Sequence, residues 1–111
     1  MGRLNILSIG DTHCGHDGGL TAPKFQRPIT NETDGHRLNI AQTQRDLYNW
    51  HRTSVVHGGP YDVVILGGDF VDGKQRKSDG EDLWSTRRKD QVECAVKCLR
   101  PLIRKGRTKV F

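Results

Sequence analysis

No apolar run in this chain approaches the ~18 residues that span a bilayer. The N-terminus offers one arginine and a short strand-like run instead of the long apolar core of a secretion signal. Core-forming material is scarce as well, since only 33% of the 111 residues are hydrophobic and 28% are charged. A domain of this size must bury well over half of its unfolded surface, so one domain with little apolar surplus is the most the chain can build. Its three cysteines, Cys14, Cys94 and Cys98, leave one over in any disulfide scheme. That speaks against a secreted disulfide scaffold and for a reducing compartment. Internal repeats and low-complexity tracts are also absent. The expectation is a soluble, cytoplasmic protein with no membrane partner.

What is present is basic. The formal charge is +5 and the isoelectric point about 9.4. Basic residues cluster at Lys74-Gln75-Arg76-Lys77, at Arg87-Arg88-Lys89 and from Arg104 to Lys109. Such clusters attract phosphate-bearing partners. They equally suit solvated helix faces and loop ends, and moderate charge alone favours that plainer reading.

The apolar residues fall into four segments. Residues 4–9 and 61–66 read as strands, and their near-continuous Val/Ile/Leu character predicts parallel strands buried on both faces. Between them, 37–57 has a helical period, with Ile40, Leu47, Trp50 and Ser54 on one side, and Gly58-Gly59-Pro60 stops it. Strand, helix and strand predict a βαβ unit with a right-handed crossover. A second helix is predicted over about 84–105, with Val92, Ala95, Val96, Leu99, Leu102 and Ile103 down its apolar face. Pro101 should kink it or end it early. Cys94 and Cys98 lie off that stripe, without zinc-knuckle spacing, and read as structural. Residues 108–111 begin a third strand. The irregular stretch 14–36 follows directly on a strand's carboxyl edge, which favours a substrate-side flap.

The chemistry collects at two strand ends. The first strand runs into Gly10-Asp11-Thr12-His13, and the second into Gly67-Gly68-Asp69-Phe70-Val71-Asp72-Gly73. Parallel strands put these ends on one edge, so Asp11, His13 and Asp69 should meet. Carboxylate and imidazole donors suit Mn, Fe, Zn or Ni. An aspartate with two oxygens can bridge two ions about 3.5–4 Å apart, which lower the pKa of a shared water and clamp a phosphoryl group. Asp11 and Asp69 could instead be ordinary turn formers, and His16 reads as a loop histidine. Trp50 and Trp84 read as packing residues, because neither lies in an aromatic-basic cluster of the single-strand-binding kind. Cys14 has no partner base in view that would make it a nucleophile.

Asp11-Thr12-His13 and Gly68-Asp69-Phe70-Val71-Asp72 resemble the first two signature blocks of the calcineurin-like metallophosphoesterases. The flanking Cys14-Gly15, Gly19-Leu20 and Pro23, with the Trp-bearing helix beyond, are similar to metallophosphoesterases of phages and prophages. The resemblance implies an α/β fold, here the N-terminal βαβα part of a four-layer phosphoesterase sandwich with parallel strands flanked by helices. It implies two divalent cations (Mn, Fe, Zn, Ni or Mg), with Asp11 and His13 on one and Asp69 bridging both. Asp72 becomes a catalytic residue that orients a later histidine. It covers nearly the whole chain but two of five motif blocks. The expectation is therefore a truncated hydrolase of phosphate mono- or diesters that associates with a missing C-terminal part. Gly73, where the phosphatase branch has arginine, argues against protein substrates, and Lys74 next to it becomes a candidate phosphate contact. The alternative is a non-catalytic, basic nucleic-acid-binding fragment with a vestigial metal site.

Overall fold

The computed structural model describes residues 2–73 and 82–111. Strands β1 (Ile6–Ile9), β2 (Val63–Leu66) and β3 (Lys109–Val110) form one parallel sheet in the order β1-β2-β3. Ile6 pairs with Val63 and Ile9 with Leu66, while Lys109 pairs with Val63 on its other side. Helix α1 (Gly35–Trp50) links β1 to β2 and runs on as a π-helical segment, His51–Val56. Helix α2 (Arg88–Leu99) links β2 to β3 and closes with a 3-10 turn, Arg100–Leu102. The α/β class, the parallel pairing and the third strand agree with the sequence. The basic stretch Lys74–Lys77, including Lys74 as a phosphate contact, lies outside the described residues.

The strand order decides where the helices lie. Both crossovers step across the sheet in one direction, and right-handed crossovers in one direction place their helices on one face. On that face Leu7, Ile9, Val64 and Leu66 pack with Val55, Val56, Tyr61, Leu99, Leu102 and Ile103. Ile6 and Ile65 point the other way and stay about half exposed. The expectation of strands buried on both faces is therefore corrected. The apolar runs are real, but only their alternate residues are covered.

The second core cluster sits beyond the strand ends. Cys14, Leu20, Ala22, Cys94, Ala95 and Cys98 are buried together, with Phe25, Leu47, Tyr48, Phe70, Val71 and Trp84 around them. Trp84 stacks on Phe25 at 4.7 Å between ring centroids, a packing role as expected. Trp50 differs from expectation, being exposed at the end of α1.

Helix α2 ends early, before Pro101, as expected, but departs from its predicted form in its start and in part of its buried face. It starts at Arg88 and ends at Leu99, two residues before Pro101, whose missing N–H and fixed φ cannot continue it. Its buried face is Gln91, Cys94, Ala95 and Cys98, while Val92 and Val96 are exposed. The cysteines thus belong to the core face; Ala95, Leu99, Leu102 and Ile103 pack as expected, and Val92 and Val96 do not.

Of the stretch 14–36 expected to form a substrate-side flap, residues 14–27 are instead packed into the fold. The Arg27 guanidinium pairs with Asp17 through Nε–Oδ1 at 2.9 Å and Nη2–Oδ2 at 3.3 Å. Buried Gln44 of α1 accepts the Arg27 N–H at 2.7 Å and donates to the Asp17 carbonyl at 3.2 Å. Leu20, Thr21 and Ala22 are buried. A segment with little regular structure beyond the 3-10 turn Pro23–Phe25 has to satisfy its backbone groups by such side-chain bonds when it enters a core.

Candidate metal centre

The two strands part company slowly. Past Ile9 and Leu66 their chains stay hydrogen-bonded side by side: Asp11 N–H to Gly68 O at 3.0 Å, His13 N–H to Asp69 O at 3.0 Å, Cys14 N–H to Phe70 O at 2.8 Å, and Asp72 N–H to Cys14 O at 3.1 Å. The Thr12 hydroxyl adds a bond to Phe70 O at 3.0 Å. Two loops that would otherwise be independent become one rigid ribbon carrying Asp11, His13, Asp69 and Asp72. Gly19 packs against its underside so closely that a Cβ there would fall 2.2 Å from the His13 carbonyl oxygen.

Asp11 (φ +54°), His13 (φ +45°) and Asp69 (φ +54°) are the non-glycine residues with positive φ among the described residues. The left-handed region costs L-residues roughly 1–2 kcal/mol, less for aspartate than for most. Such conformations persist where surrounding structure enforces them, and they gather at functional sites. Here the cross-loop hydrogen bonds are what enforce them.

The strain has a geometric result. One donor atom from each of Asp11, His13 and Asp69 lies within 4.8 Å of the other two. His13 Nε2 stands 3.9 Å from Asp11 Oδ1, and both side chains are substantially exposed. On the other side of the ring, His13 Nδ1 is 2.8 Å from Asp72 Oδ1, whose carboxylate is 5% exposed. A carboxylate on one imidazole nitrogen fixes the tautomer and frees the other nitrogen to ligate. The histidine that Asp72 holds in this chain is therefore His13, whereas the resemblance implied a later one. An open depression lined by Asp11, His13, His16, Gly18, Gly19 and Asp72 gives access. His16 uses Nδ1 to accept the Gly18 N–H at 2.9 Å, which makes it a loop-forming residue.

Two oxygens and a nitrogen converging from a rigid ribbon can hold a divalent cation. That donor set suits Mn, Fe, Zn or Ni, and three protein ligands with open positions are the pattern of catalytic rather than structural centres. No family model matches the chain, and no curated protein or solved structure matches it.

One supporting residue had not been singled out. Gln91, wholly buried on α2, accepts the Gly73 N–H at 2.9 Å and donates to Gly73 O at 2.9 Å and Ser85 O at 2.8 Å. It anchors the chain directly after Asp72. The signal was available, because Gln91, Cys94, Ala95 and Cys98 are themselves spaced i, i+3, i+4, i+7.

Immediately beneath the ribbon lie the sulfurs of Cys14, Cys94 and Cys98, again within 4.8 Å of one another and all buried. Hydrogen bonds from Cys94 and then Cys98 pull the Cys14 thiol well below its ordinary value. Cys94 and Cys98 are pushed up, each chiefly by its bond to Cys14.

Proposed function

We propose that the chain carries the metal-binding part of a phosphoesterase that hydrolyses phosphate mono- or diesters. The observation that carries this reading is the convergence of Asp11, His13 and Asp69 donors within 4.8 Å, on the three residues held at positive φ. Asp11 and His13 would hold one divalent cation together with Asp69, whose second carboxylate oxygen remains to reach another. A bound cation supplies Lewis acidity toward water and the phosphoryl oxygens. Asp72 keeps the His13 ring in one tautomer with Nε2 presented. The ribbon hydrogen bonds fix the backbone of the three donor residues beforehand, which reduces the ordering left to binding. Three unbridged cysteines suit the reducing conditions of a cytoplasm.

The test is hydrolysis of bis(p-nitrophenyl) phosphate and p-nitrophenyl phosphate by the purified chain with Mn²⁺, alongside calorimetric Mn²⁺ binding. Turnover that disappears with chelator and in Asp69→Asn supports the reading. Tight Mn²⁺ binding without turnover reduces it to a metal site. Salt-sensitive DNA binding that ignores metal, with no turnover, favours the nucleic-acid-binding alternative.

A further inference from the structure

The described residues hold a second donor cluster, and its chemistry is different. Cys14 comes from the ribbon, while Cys94 and Cys98 stand one turn apart on α2, where residues four apart project side by side. Cys14, Cys94 and Cys98 are each no more than 1% exposed. Three points no more than 4.8 Å apart fit around a common centre at a radius of at most about 2.8 Å, and metal–thiolate bonds are about 2.3 Å. We propose that Cys14, Cys94 and Cys98 form a three-coordinate thiolate site for one soft d¹⁰ cation, with Cu(I) as its ligand.

Softness and number both select the ion. Thiolates favour Cu(I), Zn²⁺ and iron–sulfur clusters over the hard cations suited to carboxylates. Structural zinc takes four ligands, and no fourth His, Cys, Asp or Glu donor joins this group among the described residues. Three sulfurs alone satisfy Cu(I). A disulfide explains the cluster less well, since it would use two sulfurs and strand the third. Ordinary packing accounts for a buried cysteine, but it gives no reason for the sulfurs of two distant segments to converge in a triad. One donor stands ready for charge on sulfur, the Ala22 N–H that bonds Cys94 Sγ at 3.3 Å; the Cys14 and Cys94 thiols themselves donate to Thr12 Oγ1 and Leu20 O at 3.6 Å, bonds they give up on binding a cation. Loading this site would pin the ribbon to α2 directly beneath His13.

The experiment is an anaerobic titration of the reduced 111-residue chain with acetonitrile-stabilised Cu(I). It is followed by ultraviolet thiolate-to-copper charge transfer and by X-ray absorption at the copper edge. One equivalent with three sulfur neighbours is expected, lost in Cys98→Ser and in Cys94→Ser and retained in Asp11→Asn/Asp69→Asn. Circular dichroism reports whether the cysteine variants fold. If they do not, the wild-type absorption spectrum decides, with sulfur-only coordination in support and oxygen or nitrogen neighbours against. No uptake, uptake that survives both folded cysteine variants, or loss in the aspartate double variant would overturn the proposal.

Discussion

His13 Nδ1 lies 2.8 Å from Asp72 Oδ1, and the carboxylate is buried while the ring's far edge faces solvent. This places one histidine between a fixed acid inside and Asp11 outside. An outer carboxylate of this kind raises ligand basicity and fixes ring orientation, and its loss costs roughly 10–100-fold in metal affinity. Asp72→Asn should weaken calorimetric Mn²⁺ binding by that factor while leaving the circular dichroism spectrum intact. Affinity equal to wild type would mean that Asp72 serves the loop and not the histidine.

Backbone strain at the same site gives an independent handle. Asp69 sits at φ +54° with an exposed side chain. Alanine tolerates that region less well than aspartate, and glycine tolerates it freely. In metal-free protein, Asp69→Ala should melt below wild type by about 1 kcal/mol, and Asp69→Gly at or above it. For a chain this size that separation is roughly 4–8 °C per kcal/mol in Tm. Both variants should lose Mn²⁺ binding, so that stability and binding move in opposite directions in the glycine variant. Equal melting of the alanine and glycine variants would show that the strain is not borne at Asp69.

Gly19 should be the least replaceable position under the ribbon. A Cβ at 2.2 Å from the His13 carbonyl oxygen meets backbone, which cannot swing aside as a flexible side chain could. Gly19→Ala should destabilise by about 1–3 kcal/mol, the usual cost of overpacking a filled site. Because the displaced group is His13 itself, Mn²⁺ affinity should fall with stability. A thermal melt and a titration on the same sample check both.

Asp11, His13 and Asp69 were legible in the sequence because parallel strands share a carboxyl edge, and the apolar runs with their Gly-Asp endings marked where that edge lies. The buried face of α2 was legible only in part. Val92 and Val96 are more hydrophobic than Gln91, Cys94 and Cys98, yet the second set faces the core. What decided it was the shape of the neighbouring segment. Residues 14–22 approach so closely that Cys14, Gly15 and Ala22 leave room only for small or bonded side chains. A Cβ on Gly15 would already lie 2.5 Å from Gln91 Cδ. A hydropathy period registers how apolar a residue is, and nothing in it records the space opposite. The tight packing of 14–27 was hidden for a related reason, since it rests on Gln44 and Arg27 bonding distant backbone groups.

Gln91 offers the sharpest test of how that helix supports the site. Its amide satisfies the Gly73 N–H, Gly73 O and Ser85 O with a side chain that is itself wholly buried. Each buried group left unpaired costs about 1–3 kcal/mol. With three such groups, Gln91→Leu, similar in size, should therefore lose about 3 kcal/mol or more even though it is the more hydrophobic residue. Gln91→Glu separates bonding from volume. An ionised carboxylate can accept the Gly73 N–H but can donate to neither carbonyl, so the introduced acid has a folded-state pKa raised by burial and by the two facing oxygens. Protonation restores a donor, and stability lost by the variant at neutral pH should return as pH falls through that raised pKa. Denaturant midpoints for wild type and Gln91→Glu at a series of pH values measure the gap. A gap that stays constant or widens on acidification would show that Gln91 fills space and does not clamp the chain behind Asp72.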